Sequence, residues 1–248
     1  MSTKAAEFLN KWLLNTQFFL WPGHCVVCQK ASGLRRDLCL TCEQTLSTVE
    51  DPCVGCALPL PPGHPPDRRC GRCASGRRPI YRAVAPFTWQ PPVSALVSGY
   101  KYHDQLQHGR VLAELLVEVL RESYRPQELP QLLLPVPLHP RRLRDRGYNQ
   151  ALVLARQLGE GLGIAVTATA LQRVRDTPPQ QGLRKAERKR NLRGAFALAE
   201  PDAFVGLSRI ALVDDVLTTM STVETLARLL HRQLPQPVEL HAWAIARA

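Results

Sequence analysis

The most informative segment of the chain is Ile210-Ala-Leu-Val-Asp-Asp-Val-Leu-Thr-Thr-Met-Ser-Thr-Val-Glu224. Its apolar start, Ile210 to Val213, is short and β-branched enough for a buried strand, whereas Thr222 to Leu230 repeats apolar residues with helical spacing. The hydroxyl-rich segment between them is therefore predicted to be a turn. A turn that enters a helix offers backbone N–H groups and the positive end of the helix dipole, and both favour a phosphate. The sequence thus predicts a strand–turn–helix unit that binds a phosphorylated sugar.

The side chains around this turn suit such a ligand. Asp214 and Asp215 come directly before the turn, where carboxylates suit ribose hydroxyls, and they are the candidate catalytic residues. The predicted phosphate-binding residues are Leu217, Thr218, Thr219, Met220, Ser221 and Thr222. The alternative is that the aspartates merely end a strand and that the threonines make an ordinary capped turn.

The same block resembles the ribose-phosphate binding motif of the type I phosphoribosyltransferases. That motif is a hydrophobic strand, two acidic residues, a variable pair, and Thr-Thr-Gly-Ser/Ala-Thr. One position departs from it, because Met220 stands where that family has glycine. Glycine is usual where the backbone adopts an unusual dihedral or approaches a ligand closely. A side chain at this position could narrow the phosphate loop.

Composition sets the charge and size of the molecule. The 248 residues carry a net charge of +11 and allow one large domain plus a small one. Most of the positive excess lies between Arg141 and Arg193, which hold 13 basic residues and 4 acidic ones. A polyanion or a pyrophosphate is the expected ligand of such a stretch, and a solvated basic face is the alternative.

Eight cysteines form four Cys-x-x-Cys pairs near the start of the chain. Two such pairs complete the tetrahedral shell that Zn²⁺ prefers in structural sites, so four pairs predict two zinc ions. The spacing leaves open whether the pairs join sequentially or interleave. A disulfide framework is the alternative, and a cytosolic chain argues against it. His24 and His64 could replace a ligand, but with a full set of cysteines they are expected to be ordinary loop residues. The predicted ligands are Cys25, Cys28, Cys39, Cys42, Cys53, Cys56, Cys70 and Cys73.

Three parts follow from these patterns: a helical segment at 1–24, a zinc-binding module at 25–78, and a larger domain at 79–248. The prolines between Cys56 and Cys70 rule out a regular element there. Removing zinc is expected to unfold the module and to leave the rest largely intact. The early apolar stretch, Trp12 to Trp21, is too short and too polar for a membrane span, and no signal-peptide cleavage pattern follows it. A cytoplasmic protein is therefore expected.

The larger domain shows the alternation of an α/β fold with a parallel sheet. In such sheets ligands lie beyond the carboxyl ends of the strands, where the Asp214 turn would be. The predicted helices span Leu106–Leu120, Ala151–Leu162 and Thr222–Leu234, and the predicted strands span Leu132–Val136, Ile164–Thr167, Ser208–Val213 and Val238–Ala246.

Two further blocks narrow the family. Pro135-Val136-Pro137 is followed by basic residues and by Arg146-Gly147-Tyr148-Asn149-Gln150, which resembles a segment of the ComF family with tyrosine in place of phenylalanine. The stretch Arg173 to Phe196 resembles the same family's Thr-x-x-Gln-x-x-Leu and Arg-x-x-Asn-x-x-Gly-Ala-Phe patterns. With Tyr100-Lys101-Tyr102 and the cysteine pairs, the resemblance covers nearly the whole chain. The matching residues of the later patterns are Thr177, Gln180, Leu183, Arg188, Asn191 and Phe196.

The resemblance implies a zinc-ribbon module joined to a type I phosphoribosyltransferase-like domain, in a family connected with bacterial competence. It implies that the chain acts on incoming single-stranded DNA, with competence or recombination proteins as partners. If 5-phosphoribosyl-1-pyrophosphate binds with Mg²⁺, then Arg141, Arg142 or Arg146 would hold the pyrophosphate. The segment Arg173 to Arg193 would be a mobile lid, with plain disorder as the alternative.

Three functions remain open at this point. The first is a ribose-phosphate-binding protein of DNA uptake. The second is a catalytically inactive scaffold that grips nucleic acid, with Tyr100, Tyr102 and Tyr148 either stacking on bases or serving as packing residues. The third is an active pentosyltransferase of nucleotide metabolism, in which Asp214 and Asp215 stabilise a positively charged sugar centre.

Overall fold

A five-stranded parallel sheet carries the polar residues of the predicted site. The computed structural model describes residues 23–33, 36–63, 68–76, 78–102, 105–176 and 191–248. The predicted helix at 1–24 lies outside these ranges except for its last two residues. The motif positions Thr177, Gln180, Leu183 and Arg188, as well as His64, also lie outside them.

The secondary structure alternates between helices and strands as the sequence predicts. The helices are α1 (Leu40–Glu43), α2 (Gly71–Ala74), α3 (Val93–Tyr102), α4 (Leu106–Ser123), α5 (Pro140–Arg146), α6 (Gln150–Leu162) and α7 (Ser221–Gln233). The strands are β1 (Arg82–Val84), β2 (Phe87–Thr88), β3 (Leu132–Pro135), β4 (Ala165–Val166), β5 (Leu171–Arg173), β6 (Phe196–Leu198), β7 (Arg209–Val213), β8 (Val216–Leu217), β9 (Glu239–Trp243) and β10 (Ala246–Arg247). Single 3₁₀ turns occupy Pro126–Glu128 and Pro201–Phe204.

The main sheet has the order β1-β9-β7-β3-β4, and every neighbouring pair is parallel. Ile210 to Val213 of β7 are fully buried, as expected for a central strand covered on both faces. Strands β3 and β7 are neighbours in the sheet, and the strands beyond them extend in opposite directions, β4 beside β3 and β9 beside β7. Such sheets bind ligands in the crevice at the point where the strand order reverses in this way. The predicted α/β fold with a parallel sheet is confirmed.

The described chain divides into two compact units. One comprises the described residues up to Ser47 together with Gln90–Val111, and the other comprises Thr48–Trp89 and Leu112–Ala248. The second unit holds the sheet and the last two cysteine pairs. The predicted boundary near residue 78 does not coincide with this division, and the domain limits stay a prediction.

The core of the second unit is one continuous apolar cluster. It joins strand residues such as Leu134 and Leu212 to helix residues such as Leu226, and it includes Cys53, Cys56 and Cys73. These cysteines therefore pack in the same core as the sheet. The expectation that removing zinc unfolds the module and leaves the rest largely intact stays a prediction.

Candidate functional site

Three strands of the sheet are interrupted at the same level, and the two aspartates lie in one of these breaks. Strands β1, β7 and β9 each stop for two residues and resume as β2, β8 and β10, which form a second sheet in the matching order β2-β10-β8. Across the breaks, Asp214 N donates to Trp243 O (3.0 Å) and Ile245 N donates to Asp215 O (3.1 Å). The break therefore holds the backbone of the aspartate pair at the carboxyl edge. The single closing strand predicted at Val238–Ala246 is in fact two strands.

The two carboxylates occupy different surroundings. Asp214 is half-buried and lines a pocket, and its Oδ1 accepts a hydrogen bond from Asp215 N at 2.9 Å. Asp215 is 7% exposed and is not among the residues that line this pocket. Of the pair, Asp214 is thus the carboxylate that this pocket presents to a ligand.

Helix α7 begins directly after the predicted phosphate turn. Met220 is its N-cap residue, and Met220 O accepts the first helical bond from Glu224 N at 2.9 Å. The N–H groups in the first turn of α7 therefore have no helical carbonyl one turn earlier to bond. This arrangement attracts anions. Thr219 Oγ1 and Ser221 Oγ lie 2.8 Å apart and share a hydrogen bond.

Met220 adopts the backbone conformation for which glycine is usually selected. Its φ of 65° and ψ of 2° are left-handed, a region that disfavours side chains. Its side chain is 2% exposed and packs in the apolar core beside residues such as Val223. It also contributes to the pocket lining. The side chain that replaces the glycine of the phosphoribosyltransferase motif is therefore buried in the core. Narrowing of the phosphate loop by this side chain stays a prediction.

A small pocket that is open to solvent lies at this turn. It is formed by the segment from the end of β7 to the first turn of α7, so one stretch of sequence supplies all of it. The lining residues are Asp214, Val216, Leu217, Thr218, Met220, Ser221, Thr222 and Val223.

The Arg146-to-Gln150 motif forms the connection between α5 and α6. Asn149 caps α6 by accepting from Ala151 N (3.1 Å), and its Nδ2 donates to Val136 O (3.1 Å) just after β3. Arg146 Nη1 donates to Gln150 Oε1 at 2.8 Å. Because β3 neighbours β7, Asn149 fixes the loop beside the aspartate break. These residues act through local structure, a role that the motif alone did not reveal.

Several charged side chains lie in or beside the loop after β3. Asp176 lies 3.5 Å from Arg141 Nη1 and 3.7 Å from His139 Nδ1. Burial lowers the pKa of Arg173, and nearby Arg142 lowers it further, whereas the carboxylates of Asp214 and Asp176 raise it. Arg142, Asp176 and Asp214 therefore all act on the charge of Arg173, and Arg141 contacts Asp176.

Arg173 is a buried cation, influenced by Asp214, that sequence reasoning did not single out. It ends β5, is 6% exposed, and pairs in register with Phe196 of β6 rather than belonging to a lid. Its guanidinium lies 5.5 Å from the Phe196 ring centroid. Its place at the start of the second family motif was the only sequence signal. Residues 177–190 of the predicted lid lie outside the described residues.

The other motif residues are spread over the chain. Lys101 lies in the last turn of α3, in the unit that contains Gln90–Val111, and Asn191 is half-buried. Tyr100 is fully buried, so stacking on a base is wrong for this residue, whereas Tyr102 is 59% exposed. Gln180 and Arg188 are not described.

The cysteines form two separate four-thiol clusters, and the pairs join sequentially. One cluster is Cys25, Cys28, Cys39 and Cys42, and the other is Cys53, Cys56, Cys70 and Cys73. Within each cluster the Sγ atoms lie within 4.8 Å of one another, and all eight cysteines are free thiols.

The spacing of the sulfurs fits a tetrahedral metal. Four sulfurs about 2.3 Å from a zinc ion lie about 3.8 Å apart. Cys28 and Cys39 Sγ are 3.8 Å apart, and so are Cys56 and Cys70 Sγ. Both clusters can therefore hold a metal ion of this size.

The thiols in each cluster differ in acidity. Burial raises the pKa of Cys25, but hydrogen bonds from neighbouring backbone groups outweigh it and bring the pKa to about 6. Burial raises the pKa of Cys42 to about 12 and also raises that of Cys73. A thiol of low pKa provides the first thiolate, and an incoming cation favours deprotonation of the others.

The fold and these sites define an α/β protein with a polar turn at the carboxyl edge of a parallel sheet and two Cys₄ centres. No protein-family model matches the chain. Among curated proteins, "Competence protein F" of Haemophilus influenzae is 36% identical over 183 residues, which is 73% of this chain and 79% of the relative. "DNA utilization protein YhgH" of Salmonella typhi is 35% identical over 229 residues, which is 91% of this chain and 97% of the relative. The protein of the same name from Escherichia coli K12 is 33% identical over the same length.

The chain belongs to the ComF family, as these relatives show and as the motifs predict. Among solved structures, a purine phosphoribosyltransferase from Pyrococcus horikoshii Ot3 aligns with a TM-score of 0.30 and 14% identity, over 55% of this chain and 80% of that chain. Among the described residues, no helix has the length and apolar character needed to cross a membrane.

Proposed function

We propose that this chain binds 5-phosphoribosyl-1-pyrophosphate, or a similar ribose phosphate, and that it acts on single-stranded DNA during DNA uptake. One observation carries the proposal: the turn from Asp214 to Thr222 combines a carboxylate, hydroxyl groups and a helix start at the carboxyl edge of the sheet. Phosphate and ribose hydroxyls are the ligand groups that this combination suits.

Each part of the ligand has a candidate partner. The first turn of α7 binds the 5-phosphate with its N–H groups and with the hydroxyls of Thr218 and Ser221. Asp214 accepts hydrogen bonds from the ribose hydroxyls, and Asp215 supports it from the buried side of the break. Arg141 and Arg142, beyond β3, bind the pyrophosphate, and a bound Mg²⁺ would supply further positive charge to it. Arg146 contributes less directly because it already donates to Gln150.

The two Cys₄ centres are proposed to hold Zn²⁺ as structural ions. Four thiolates close the tetrahedral shell, so neither centre keeps an open position for chemistry. Reduced thiols of this kind persist in the cytoplasm, which is where we propose that the protein works.

The proposed role in DNA uptake rests on the family and on charge. The curated relatives carry the names competence protein and DNA utilization protein. Arg141, Arg144, Arg175 and Arg193 are exposed and lie in the most basic part of the chain. Exposed guanidinium groups neutralise phosphates and release counterions, so binding to single-stranded DNA would weaken steeply with salt.

Calorimetric titration tests both ligands on the same variants. Asp214→Asn removes the carboxylate charge at nearly constant shape, and Asp202→Asn, an exposed aspartate of the Pro201–Phe204 turn, is the matched control. We expect phosphoribosyl pyrophosphate with Mg²⁺ to bind wild type and the control, and to bind Asp214→Asn at least about tenfold more weakly. Absence of binding to wild type would contradict the proposal.

The DNA titration is repeated at several salt concentrations. The logarithm of the binding constant should fall with the logarithm of salt by about 0.7 per neutralised phosphate. DNA binding that survives in Asp214→Asn would indicate two sites. DNA binding without any ribose-phosphate binding would instead support the inactive scaffold, which the Met220 side chain in the pocket lining favours. Release of pyrophosphate with an added acceptor base would support the transferase.

A further inference from the structure

The penultimate residue of the chain links the second cysteine cluster to the phosphate turn. Arg247 ends β10, is 7% exposed, and pairs in register with Leu217 of β8. Its Nε donates to Cys56 O at 2.9 Å. Its Nη1 donates to Leu217 O at 2.7 Å, and also to Thr218 O and Ala248 O. One planar guanidinium thus joins a metal-ligand residue to two carbonyls of the turn.

These contacts orient the turn for an anion. A carbonyl oxygen that faced the pocket would repel a phosphate, and the Leu217 and Thr218 oxygens are instead engaged by the buried cation. The same guanidinium holds β8 in place just before the left-handed Met220. Since a planar fork with fixed donors sets direction as well as distance, lysine cannot reproduce this arrangement.

A second connection reaches the other side of the turn. Glu224, in the first turn of α7, is 6% exposed and forms an ion pair with Arg78 at 3.3 Å. Arg72, which lies between the cluster residues Cys70 and Cys73, is 4.0 Å from the same carboxylate. Both ends of the phosphate turn are therefore tied to the segment that carries the second cluster.

Charge makes this connection depend on the metal. A Zn²⁺ ion with four thiolates carries two net negative charges, which stabilise a buried cation nearby. Without the metal, the guanidinium loses this nearby negative charge, and the Cys56 carbonyl that it contacts loses the metal-bound loop that positions it.

We propose that Arg247 is a positioning residue through which metal occupancy of the Cys53/Cys56/Cys70/Cys73 cluster shapes the phosphate turn and so controls anion binding. The identity of the ligand in this inference rests on the proposed function. The effect of the metal on the structure of the turn does not. Loss of the second metal would loosen residues 216–223 whether or not a ribose phosphate is the natural ligand.

The test compares two arginines that both donate to backbone carbonyls. Arg247→Lys and Arg247→Gln alter the connection, and Arg209→Lys is the control, because Arg209 donates to Leu129 O and Gln127 O at the opposite end of β7. The full chain is measured for zinc content, for hydrogen exchange of residues 216–223, and for binding of phosphoribosyl pyrophosphate with Mg²⁺. The same measurements are made on wild type during removal of zinc by a chelator.

We expect both Arg247 variants to keep two zinc ions, to exchange residues 216–223 at least about tenfold faster, and to bind the ligand about tenfold more weakly. Arg209→Lys should match wild type. Removal of zinc should reproduce the exchange change in the wild-type protein. Unchanged exchange in Arg247→Lys, or in the zinc-free protein, would overturn the inference. If wild type binds no phosphoribosyl pyrophosphate, the proposed function fails. The exchange data alone then still decide whether Arg247 and the metal position the turn.

Discussion

Met220 O accepts a hydrogen bond from Glu224 N at 2.9 Å, so a methionine in the left-handed conformation begins helix α7. The same methionine is 2% exposed in the apolar core. Its backbone strain and its burial act in opposite directions on stability. The pocket lining depends on both, because the residue sets the direction of the turn and fills the space beneath it.

Substitution of Met220 separates these two effects. Met220→Gly relieves the left-handed strain but loses the buried side chain, and Met220→Ala loses the side chain while keeping the strain. We expect both to lower the free energy of unfolding, by about 2–5 kcal/mol for alanine. Alanine should be the less stable of the two by about 1 kcal/mol. Urea unfolding measures both, and a glycine variant less stable than the alanine variant would argue against the left-handed conformation.

Asn149 is expected to stabilise α6 and the loop after β3 through two different atoms. Asn149→Ala should lower the free energy of unfolding by about 1–2 kcal/mol, since it removes a cap and a side-chain hydrogen bond. Asn149→Asp keeps the cap acceptor for Ala151 N but loses the donor to Val136 O. It should therefore recover part of the stability while still weakening ligand binding. Thermal unfolding and calorimetry would report the two effects, and equal losses for both variants would contradict the division of roles.

The buried pair Tyr124 and His241 predicts a pH dependence of stability. Tyr124 OH and His241 Nδ1 share a hydrogen bond at 2.9 Å, and burial lowers the pKa of His241 from 6.5 to about 4. Because the unfolded chain binds the proton more tightly between these values, stability rises from about pH 4 to pH 6.5 and is level above. The change from this group is about 3 kcal/mol. His241→Gln should flatten this part of the profile of unfolding free energy against pH, and an unchanged slope would exclude His241 as its source.

Metal content provides a test of the sequential pairing. Wild type should hold two zinc ions per chain, and Cys28→Ser and Cys70→Ser should each lose about one. Cys70→Ser should also lower the unfolding temperature of the sheet, because three ligands of its cluster pack in the sheet's core. Elemental analysis gives the zinc content. A double variant, Cys28→Ser with Cys39→Ser, should lose only one ion, because both ligands belong to one cluster, and loss of both ions from it would indicate an interleaved arrangement instead.

The sequence predicts the elements whose signal is local. Strand β7 is a fully buried apolar run, and α7 repeats apolar residues on one face, so both are found close to their predicted bounds. The Cys-x-x-Cys pairs likewise predict thiol clusters that can hold a metal ion. Each of these patterns is contained within a few residues of chain, where spacing alone carries the information.

The remaining features depend on contacts between distant residues. The shared break in β1, β7 and β9 follows from the alignment of three strands in the sheet, which no single strand encodes. Arg247 contacts Cys56 across 191 positions of sequence. Arg173 is buried at the end of β5, where that strand pairs with β6. Buried polar residues of this kind are invisible to periodicity, because their partners decide their role.

Localised hydrogen exchange with phosphoribosyl pyrophosphate and Mg²⁺ tests most directly whether the turn after β7 is a ribose-phosphate site. The peptides that cover residues 214–223 should become protected in wild type at saturating ligand, and this protection should be lost in Asp214→Asn. Protection confined to other parts of the chain, or no protection at all, would contradict the assignment of this turn.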